Sequence, residues 1–148
     1  MVQQTVCGIL RNGERFLIGK RKSDNPNFGG YWELPGGKID PTDNSPYDAL
    51  IREFKEELDI QIKPIHKIRP VEKNGIHMEC WVVDFESGKA KLMEHDEVKF
   101  IKFSEIKQYL FTPLSQSLIH ITRDSYQLFF KSPQGVKLNP SMECSNEH

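Results

Sequence analysis

Residues 46–58 are the part of the sequence that most constrains the fold. Ser45 suits a helix N-cap, Pro46 suits the first helical position, and Asp48 supplies an acid in a pattern resembling a capping box. At about 100° per residue, the apolar side chains of this segment fall on one stripe: Tyr47, Leu50, Ile51, Phe54 and Leu58. The segment is therefore predicted to be an amphipathic helix that packs through this stripe.

Three glutamates, Glu53, Glu56 and Glu57, share the helix face beside the apolar stripe. Glu53 and Glu57 are like charges four residues apart, which destabilises a helix by about 0.2–0.5 kcal/mol. Arg52 can reach Glu56 along the helix surface, but one arginine does not balance three acids. A hard cation such as Mg²⁺ takes oxygen ligands and is the natural remaining partner, although an isolated string of this kind is more often a solvated surface.

The loop of Pro35, Gly36 and Gly37 favours the metal site over the solvated surface. Glycine frees the backbone from side-chain sterics, so such a loop can approach a ligand closely. The acidic helix follows after one short connection. Flexible backbone and clustered carboxylates are therefore expected to meet at one place.

Apolar segments on both sides of this helix predict a mixed β-sheet. The dipeptides Asn12-Gly13 and Asn74-Gly75 tolerate the positive φ of tight turns, so each is expected to join two antiparallel strands. The predicted strands are residues 5–10, 15–21, 60–71, 76–85 and 98–103, and residues 31–34 form a further short apolar segment.

The C-terminal part of the chain is predicted to be helical and then irregular. Ser104 is a candidate cap for a short helix that ends near residue 110, and residues 114–129 have a helical apolar pattern. Residues 131–148 are rich in Pro, Ser, Asn and Gly and are predicted to be a flexible tail.

Length, charge and cysteine usage exclude several classes of protein. A chain of 148 residues with 37% apolar residues suits one domain. The net charge of −1 gives no general attraction to a nucleic acid polymer, and no apolar run approaches the roughly 20 residues that span a bilayer. Three widely spaced cysteines indicate neither a disulfide framework nor a zinc site, so a cytoplasmic protein is expected.

Gly37 followed by residues 52–60 resembles the signature of the Nudix hydrolase superfamily, G-x5-E-x7-R-E-U-x-E-E-x-G-U, where U is a bulky apolar residue. The resemblance extends over about residues 3–125 and points to the MutT-like and CTP-pyrophosphohydrolase-like branches. It implies an α+β fold, a Nudix-type α/β/α sandwich with a central mixed β-sheet, in a domain of residues 1–130.

The sequence departs from the family signature at three places. The connection of residues 38–51 is one residue longer than in the signature. The first signature glutamate is missing, and Asp43 or Asn44 stands in its neighbourhood. Asp59 replaces the glycine after the last glutamate pair, but aspartate tolerates left-handed geometry well enough to end a helix.

The resemblance implies roles for the acidic residues. Glu53, Glu56, Glu57 and the carbonyl of Gly37 would hold Mg²⁺, or Mn²⁺ in its place, while Arg52 would orient the glutamates through ion pairs. A further acid in the loop before the last strand would be a metal ligand or a general base. Spacing from Phe100 favours Glu94 over Glu97 for this role, and an ordinary solvated turn is the alternative.

The resemblance also implies residues that bind substrate. Arg21 stands where MutT-like enzymes place a phosphate-contacting arginine, and Lys38 lies beside the metal loop, although both suit exposed edge-strand charges as well. Ser115 occupies the position that reads the base, where asparagine or aspartate is expected. Phe28 offers a stacking surface together with its neighbours Tyr31 and Trp32, but Trp32 is more typical of a core. Of the five histidines, only His95 lies beside a candidate site residue.

The reaction implied is substitution at phosphorus by a metal-activated water, which converts a nucleoside triphosphate to a nucleoside monophosphate and pyrophosphate. Such a MutT-like enzyme would clean the nucleotide pool, act on a small nucleotide, and be a monomer or homodimer. ADP-ribose, a dinucleoside polyphosphate or a nucleotide sugar is the alternative substrate, although Gly75 stands where many ADP-ribose hydrolases have proline. A non-catalytic nucleotide-binding module is the third class, but it has no need of all three helix glutamates.

Overall fold

The computed structural model describes residues 2–131 and 133–135 and contains seven strands and two α-helices in this range. The strands are β1 (Gln3–Asn12), β2 (Arg15–Arg21), β3 (Trp32–Glu33), β4 (Gly36–Lys38), β5 (Ile60–Lys73), β6 (Ile76–Gly88) and β7 (His95–Lys102). The α-helices are α1 (Pro46–Leu58) and α2 (Pro113–Ile121). Helix α1 thus has the predicted bounds.

Strand β1 is the centre of the sheet. It pairs in parallel with β6 from Gln3 to Leu10 and antiparallel with β4 on its other side. Only its last two residues, Arg11 and Asn12, pair with β2, which then runs between β3 and β7. Strand β6 continues the sheet by pairing antiparallel with β5. Parallel and antiparallel pairs therefore coexist, which confirms the predicted mixed sheet.

Both predicted turns join antiparallel strands. Gly13 has φ of 64° between β1 and β2. Asn74 and Gly75 have φ of 53° and 77° between β5 and β6. Two consecutive residues with positive φ match the right-handed twist of the flanking strands. The β1–β2 pair is short because most of β1, from Gln3 to Leu10, pairs with β6 before the chain reaches the turn.

The two faces of the sheet each carry one helix and one apolar cluster. Val6 and Leu10 of β1 pack with Ala49, Leu50, Phe54 and Leu58 of α1. Cys7 and Ile9 point to the other face and pack with Leu118 and Ile119 of α2. This alternation places the sheet between two helical layers. The predicted α/β/α sandwich is confirmed.

Two details of the sequence prediction are wrong. Ser104 is not the cap of the short helix, because a 3₁₀ helix already begins at Phe103 and runs to Gln108. Its first turn is capped by the Glu105 carboxylate, which accepts a hydrogen bond from the Lys102 N–H at 2.8 Å. Tyr47 does not join the buried stripe of α1, since it is 41% exposed and lies edge-on to Trp81. Tyr47 belongs to the first turn of α1, and the buried residues of the helix begin two positions later at Ala49.

Helical structure continues after α2 as a π-helical turn and a 3₁₀ helix, up to Lys131. Arg11, 2% exposed, pairs with Asp84 and donates hydrogen bonds to the carbonyl oxygens of Phe129 and Pro133. Most of the predicted tail, residues 136–148, lies outside the described residues. No helix in the described part of the chain is both long and apolar enough to cross a membrane.

Candidate active site

Helix α1 presents the glutamates at a well-defined position because both of its ends are capped. The Ser45 hydroxyl oxygen accepts a hydrogen bond from the Asp48 N–H at 3.1 Å. Asp59 has φ of 55°, and its N–H donates to the Lys55 carbonyl. The left-handed aspartate therefore ends the helix as expected in place of glycine.

Arg52 joins the helix to the loop before it. Its guanidinium contacts Glu53 and Glu56 at 3.0 Å each and donates to the Lys38 carbonyl oxygen at 3.1 Å. Nε and Nη2 also donate to the two carboxylate oxygens of Asp43, each at 2.8 Å. This paired geometry is the strong form of an arginine–carboxylate contact. Arg52 thus fixes the loop and two glutamates together.

Of the two residues in the neighbourhood of the missing signature glutamate, Asp43 is the one whose carboxylate contacts Arg52. The Arg52 hydrogen bonds lower the pKa of its carboxyl. The loop holds Asp43 in place, since the Asp40 N–H donates to the Asp43 carboxylate at 2.8 Å and the Asp43 N–H donates to the Asp40 carbonyl at 2.9 Å. The turn of residues 40–43 thereby accommodates the longer connection while keeping an acid on Arg52.

Gly37 leaves room for the Glu53 carboxylate. A Cβ atom at this glycine would lie 2.6 Å from the Glu53 carboxyl carbon, which is closer than side chains permit. Burial raises the pKa of Glu53, although the hydrogen bond from Arg52 opposes this. Backbone and carboxylate therefore meet, as the sequence suggests. Glu56 lies further out, and its side chain is 52% exposed.

Glu57 is the most buried acid of the site. Its side chain is 2% exposed, and its Oε2 atom has no hydrogen-bond partner among the described residues. Burial, followed by the charges of Glu33, Glu53 and Glu94, raises its pKa well above 4.5. A buried carboxylate without a cation is unfavourable. The unpaired Oε2 atom of Glu57 and the carboxylate oxygens around it are suitable ligands for a divalent metal ion.

The loop that carries Glu94 is attached to the end of α1. The Lys91 N–H donates to the Leu58 carbonyl at 2.9 Å, and the Met93 N–H donates to the Glu57 carbonyl at 3.1 Å. Glu94 lines an acidic cavity of about 190 Å³, which is completed by Arg21, Asn25, Glu33, Gly36, Glu57 and His95. Glu97 instead lies 3.6 Å from Lys99 and is not among the residues that line this cavity. Of the two candidate acids, Glu94 is therefore the one that lines this cavity, and its role stays a prediction.

Glu33 and His95 line the same cavity, although neither was predicted from the sequence to be a site residue. His95 Nε2 lies 3.0 Å from a Glu33 oxygen and 3.7 Å from a Glu57 oxygen. One ligand atom from each of these three residues fits within 4.8 Å of the others. Strand alternation carries a signal for Glu33, because the flanking Trp32 and Leu34 point into the core.

Arg21 is not an edge-strand charge. Strand β2 has neighbours on both sides, and the Arg21 guanidinium donates to Glu33 and to the Asn27 carbonyl oxygen, both at 2.8 Å. The second contact fixes the loop that carries Phe28, which is 49% exposed and lies edge-on to Tyr31. Trp32 is buried in the core near α2, so the stacking role does not extend to it.

A larger cavity of about 450 Å³ adjoins the acidic one. Its lining residues come from the loop of Phe28, the strand ends at Gly37 and Ile76, and the start of α2. Ser115 lines it too, and its buried hydroxyl oxygen accepts a hydrogen bond from the Leu34 N–H at 3.0 Å. Lys38 is exposed and is not among the residues that line either cavity.

Residues 1–125 match the NUDIX domain family, so the chain belongs to the Nudix hydrolases. The CTP pyrophosphohydrolase of Escherichia coli is 29% identical over 120 residues, 78% of this chain and 87% of that protein. The nucleoside triphosphatase NudI of an Enterobacter species is 29% identical over 126 residues, 84% of this chain and 86% of that protein.

A solved structure supports the same relationship. The ORF135 protein of Escherichia coli, determined in solution, has a TM-score of 0.72 and 28% identity, and the match covers 90% of this chain and 95% of that one. The family resemblance predicted from the signature is therefore confirmed. Nudix hydrolases act on small nucleotides and generally use a divalent metal ion.

Proposed function

We propose that this protein is a Mg²⁺-dependent pyrophosphohydrolase that cleaves a nucleoside triphosphate to a nucleoside monophosphate and pyrophosphate. The observation that carries the proposal is a pair of adjoining cavities that share Arg21, Glu33 and Gly36. One is lined largely by apolar residues and backbone, and the other by carboxylates. A nucleotide has the same two parts, since an uncharged base with flat aromatic faces is joined to charged phosphates.

The larger cavity suits the nucleoside. Its volume of about 450 Å³ lies within the range of about 300–1,000 Å³ that small-molecule sites occupy. Phe28 offers an aromatic ring that packs against no core cluster, and Ile76 and Met78 add apolar contacts. The Ser115 oxygen already accepts a hydrogen bond, which leaves its proton to be donated to an acceptor on the base.

The acidic cavity suits the phosphates together with the metal. Glu57 and Glu94 line this cavity, and together with Glu53, Glu56 and the Gly37 carbonyl, which lie outside its lining, they would hold Mg²⁺; Mn²⁺ suits the same oxygen ligands. A bound Mg²⁺ makes a coordinated water more acidic and neutralises charge on the leaving phosphate. Arg21 would contact a phosphate oxygen from the shared wall, and Glu94, which lines the cavity, would accept a proton from the attacking water.

The names of the relatives support a triphosphate substrate. The bacterial relatives that align over most of this chain are named for CTP and for nucleoside triphosphates. Substrates of that kind fit one base pocket and one phosphate pocket. We infer the same class for this protein, together with a role in cleaning the nucleotide pool.

The test is a hydrolysis screen in Mg²⁺ with and without added pyrophosphatase. Nucleoside triphosphates, beginning with CTP and dCTP, are compared with ADP-ribose, dinucleoside polyphosphates and nucleotide sugars. We expect a triphosphate to release phosphate only when pyrophosphatase is present, because the direct product is pyrophosphate. ADP-ribose and nucleotide sugars yield phosphomonoesters and no pyrophosphate, so the cleavage of these compounds and of dinucleoside polyphosphates is followed by chromatography of the nucleotide products. Preferential cleavage of any of them would contradict the triphosphate assignment.

Variants connect this activity to the site. Glu56→Gln and Glu57→Gln remove a charge with little change in size and are expected to abolish hydrolysis without unfolding the protein. Glu14→Gln is the matched control, because Glu14 is exposed at the β1–β2 turn and lines neither cavity. If both site variants cleave normally, the metal site is elsewhere. The cytoplasmic location and the monomeric or homodimeric state stay predictions, to be tested by fractionation and by mass in solution.

A further inference from the structure

His95 is buried at the meeting point of two carboxylates, and the proposed function leaves it without a role. We infer that His95 is a positioning residue for Glu57: its imidazole is hydrogen-bonded through Nε2 to Glu33, lies beside the Glu57 carboxylate and restricts that carboxylate to the orientation that binds metal. The inference rests on the proposed function, because that function makes Glu57 a metal ligand. It concerns a residue that touches the ligand set and not the substrate.

The contact distances support this role. His95 Nε2 lies 3.0 Å from Glu33 Oε2, a hydrogen-bond length, and 3.7 Å from Glu57 Oε1. Ionised carboxylate oxygens accept hydrogen bonds and do not donate them, so the ring nitrogen that faces them has to carry the proton. The N–H group is therefore hydrogen-bonded to Glu33, while Glu57 Oε1, at 3.7 Å, lies within electrostatic range but beyond hydrogen-bond length. Both His95 and Glu57 have side chains that are 2% exposed, so water does not compete for these contacts.

The imidazole cannot move away from the two acids. A Cβ atom at Gly19 would lie 2.6 Å from His95 Cδ2 and 2.8 Å from Nε2, which shows that the ring packs directly on the β2 backbone. His95 is also the first residue of β7, and its partner in the register is Arg21. Strand pairing and close packing on the Gly19 backbone thus restrict the position of the ring.

Glu33 extends the contact to the shared wall of the two cavities. Its Oε1 atom accepts a hydrogen bond from Arg21 at 2.8 Å, while its Oε2 atom contacts His95. Arg21, Glu33, His95 and Glu57 therefore form one continuous series of polar contacts. Partners that orient a metal ligand in this way typically contribute about 10–100-fold to metal affinity or activity.

Direct metal ligation by His95 is the competing arrangement, since Glu33, Glu57 and His95 could surround an ion. A ligating nitrogen has to direct a lone pair at the metal. Nε2 makes a hydrogen-bond contact with Glu33, so ligation would fall to Nδ1, which is buried and has no hydrogen-bond partner among the described residues. A positioning residue and a ligand also differ in a measurable signal. A ligating imidazole gives strong nitrogen coupling to a bound paramagnetic ion, and an imidazole that is only nearby gives weak coupling.

The test uses Mn²⁺ and needs no substrate. Pulsed electron paramagnetic resonance of Mn²⁺ bound to the full chain is expected to show no directly coordinated imidazole nitrogen, and such a nitrogen would overturn the inference. In Mn²⁺ titrations, His95→Leu should raise the dissociation constant about tenfold, whereas His95→Gln, which can present an N–H group, should stay within about threefold of the wild type.

Two further variants complete the test. Gly19→Ala keeps the imidazole but has to displace it, so it should weaken Mn²⁺ binding in the same direction. His77→Leu is the matched control, because His77 also contacts a glutamate, Glu72 at 3.2 Å, and lines neither cavity. Wild-type affinity in folded His95→Leu and Gly19→Ala proteins would overturn the inference. Failure of all nucleotides to be hydrolysed would overturn the proposed function instead, while the Mn²⁺ measurements would still stand.

Discussion

Burial of Glu57 and the charges of its acidic neighbours both disfavour the ionised form of its carboxyl group. Its side chain is almost fully buried, and the carboxylates of Glu33, Glu53 and Glu94 raise its pKa further above 4.5. The native protein therefore binds more protons than the unfolded chain above about pH 4.5. For this reason the contribution of Glu57 to the free energy of unfolding falls as the pH rises from 4.5 towards its folded pKa.

Replacement of Glu57 by glutamine should separate stability from activity. Without metal, the variant should have a higher Tm than the wild type at about pH 8, and the difference should shrink at about pH 5. Hydrolysis should fall by about 100-fold or more, as when a charge-stabilising group is removed. Thermal melts in EDTA and a kinetic assay in Mg²⁺ measure the two effects. A variant that melts below the wild type at both pH values would contradict the unfavourable burial of the charge.

Asp43 supplies the second prediction at this scale, because it contacts Arg52 through both carboxylate oxygens. Arg52 lowers the pKa of Asp43, so this ion pair stabilises the fold above the unfolded pKa of about 3.9 and loses its effect as the pH falls through the folded value. Asp43→Asn should therefore lower stability at neutral pH and match the wild type in strong acid. It should also lower kcat about tenfold, since Arg52 loses an orienting partner.

Urea unfolding across a pH series measures the Asp43 effect on stability. Asn44→Ala is the control, because Asn44 is exposed and is the alternative position for the signature acid. The idea fails if Asn44→Ala lowers kcat as much as Asp43→Asn does.

At the scale of elements, local sequence patterns predicted the helix and the turns but did not predict which distant strands pair. The caps of α1 and the dipeptides at Gly13 and Gly75 act within a few residues, so the sequence displays them directly. The parallel pairing of β1 with β6 joins residues more than 70 positions apart and has no local signal. The contact between Glu33 and His95, which are 62 residues apart, likewise has no local signal in the sequence. The acids on α1 were found because one helix carries them all.

Gly8 decides how closely α1 packs on the sheet. A Cβ atom there would lie 2.7 Å from the Phe54 ring and 3.4 Å from Leu50. Gly8→Ala should therefore destabilise the protein by about 1–3 kcal/mol, the usual cost of overpacking. Gly135→Ala is a matched control, because nothing lies within 4 Å of the added atom. Chemical denaturation of both variants measures the difference, and equal stability would show that Phe54 moves aside freely.

For the whole molecule, Arg11 ties the two ends of the described chain together. Its side chain bridges Asp84 of β6 and the carbonyl oxygens of Phe129 and Pro133. Gln134 adds two contacts to the first turn, since it accepts from the Gly13 N–H and donates to the Arg11 carbonyl, both at 3.1 Å. A domain boundary at residue 130 was predicted from composition and resemblance, and it falls within this set of contacts.

Two truncated chains test where the folded domain ends. A chain that stops after Phe130 loses the hydrogen bonds of Pro133 and Gln134 and leaves the buried Arg11 guanidinium short of an acceptor. It should be less stable than a chain that stops after Gly135, by about 2–4 kcal/mol. Denaturant melts of the two truncated chains give the difference, and Gln134→Ala in the longer chain should reproduce part of it. Equal midpoints would place the end of the domain at residue 130, because the contacts of Pro133 and Gln134 would then add nothing to stability.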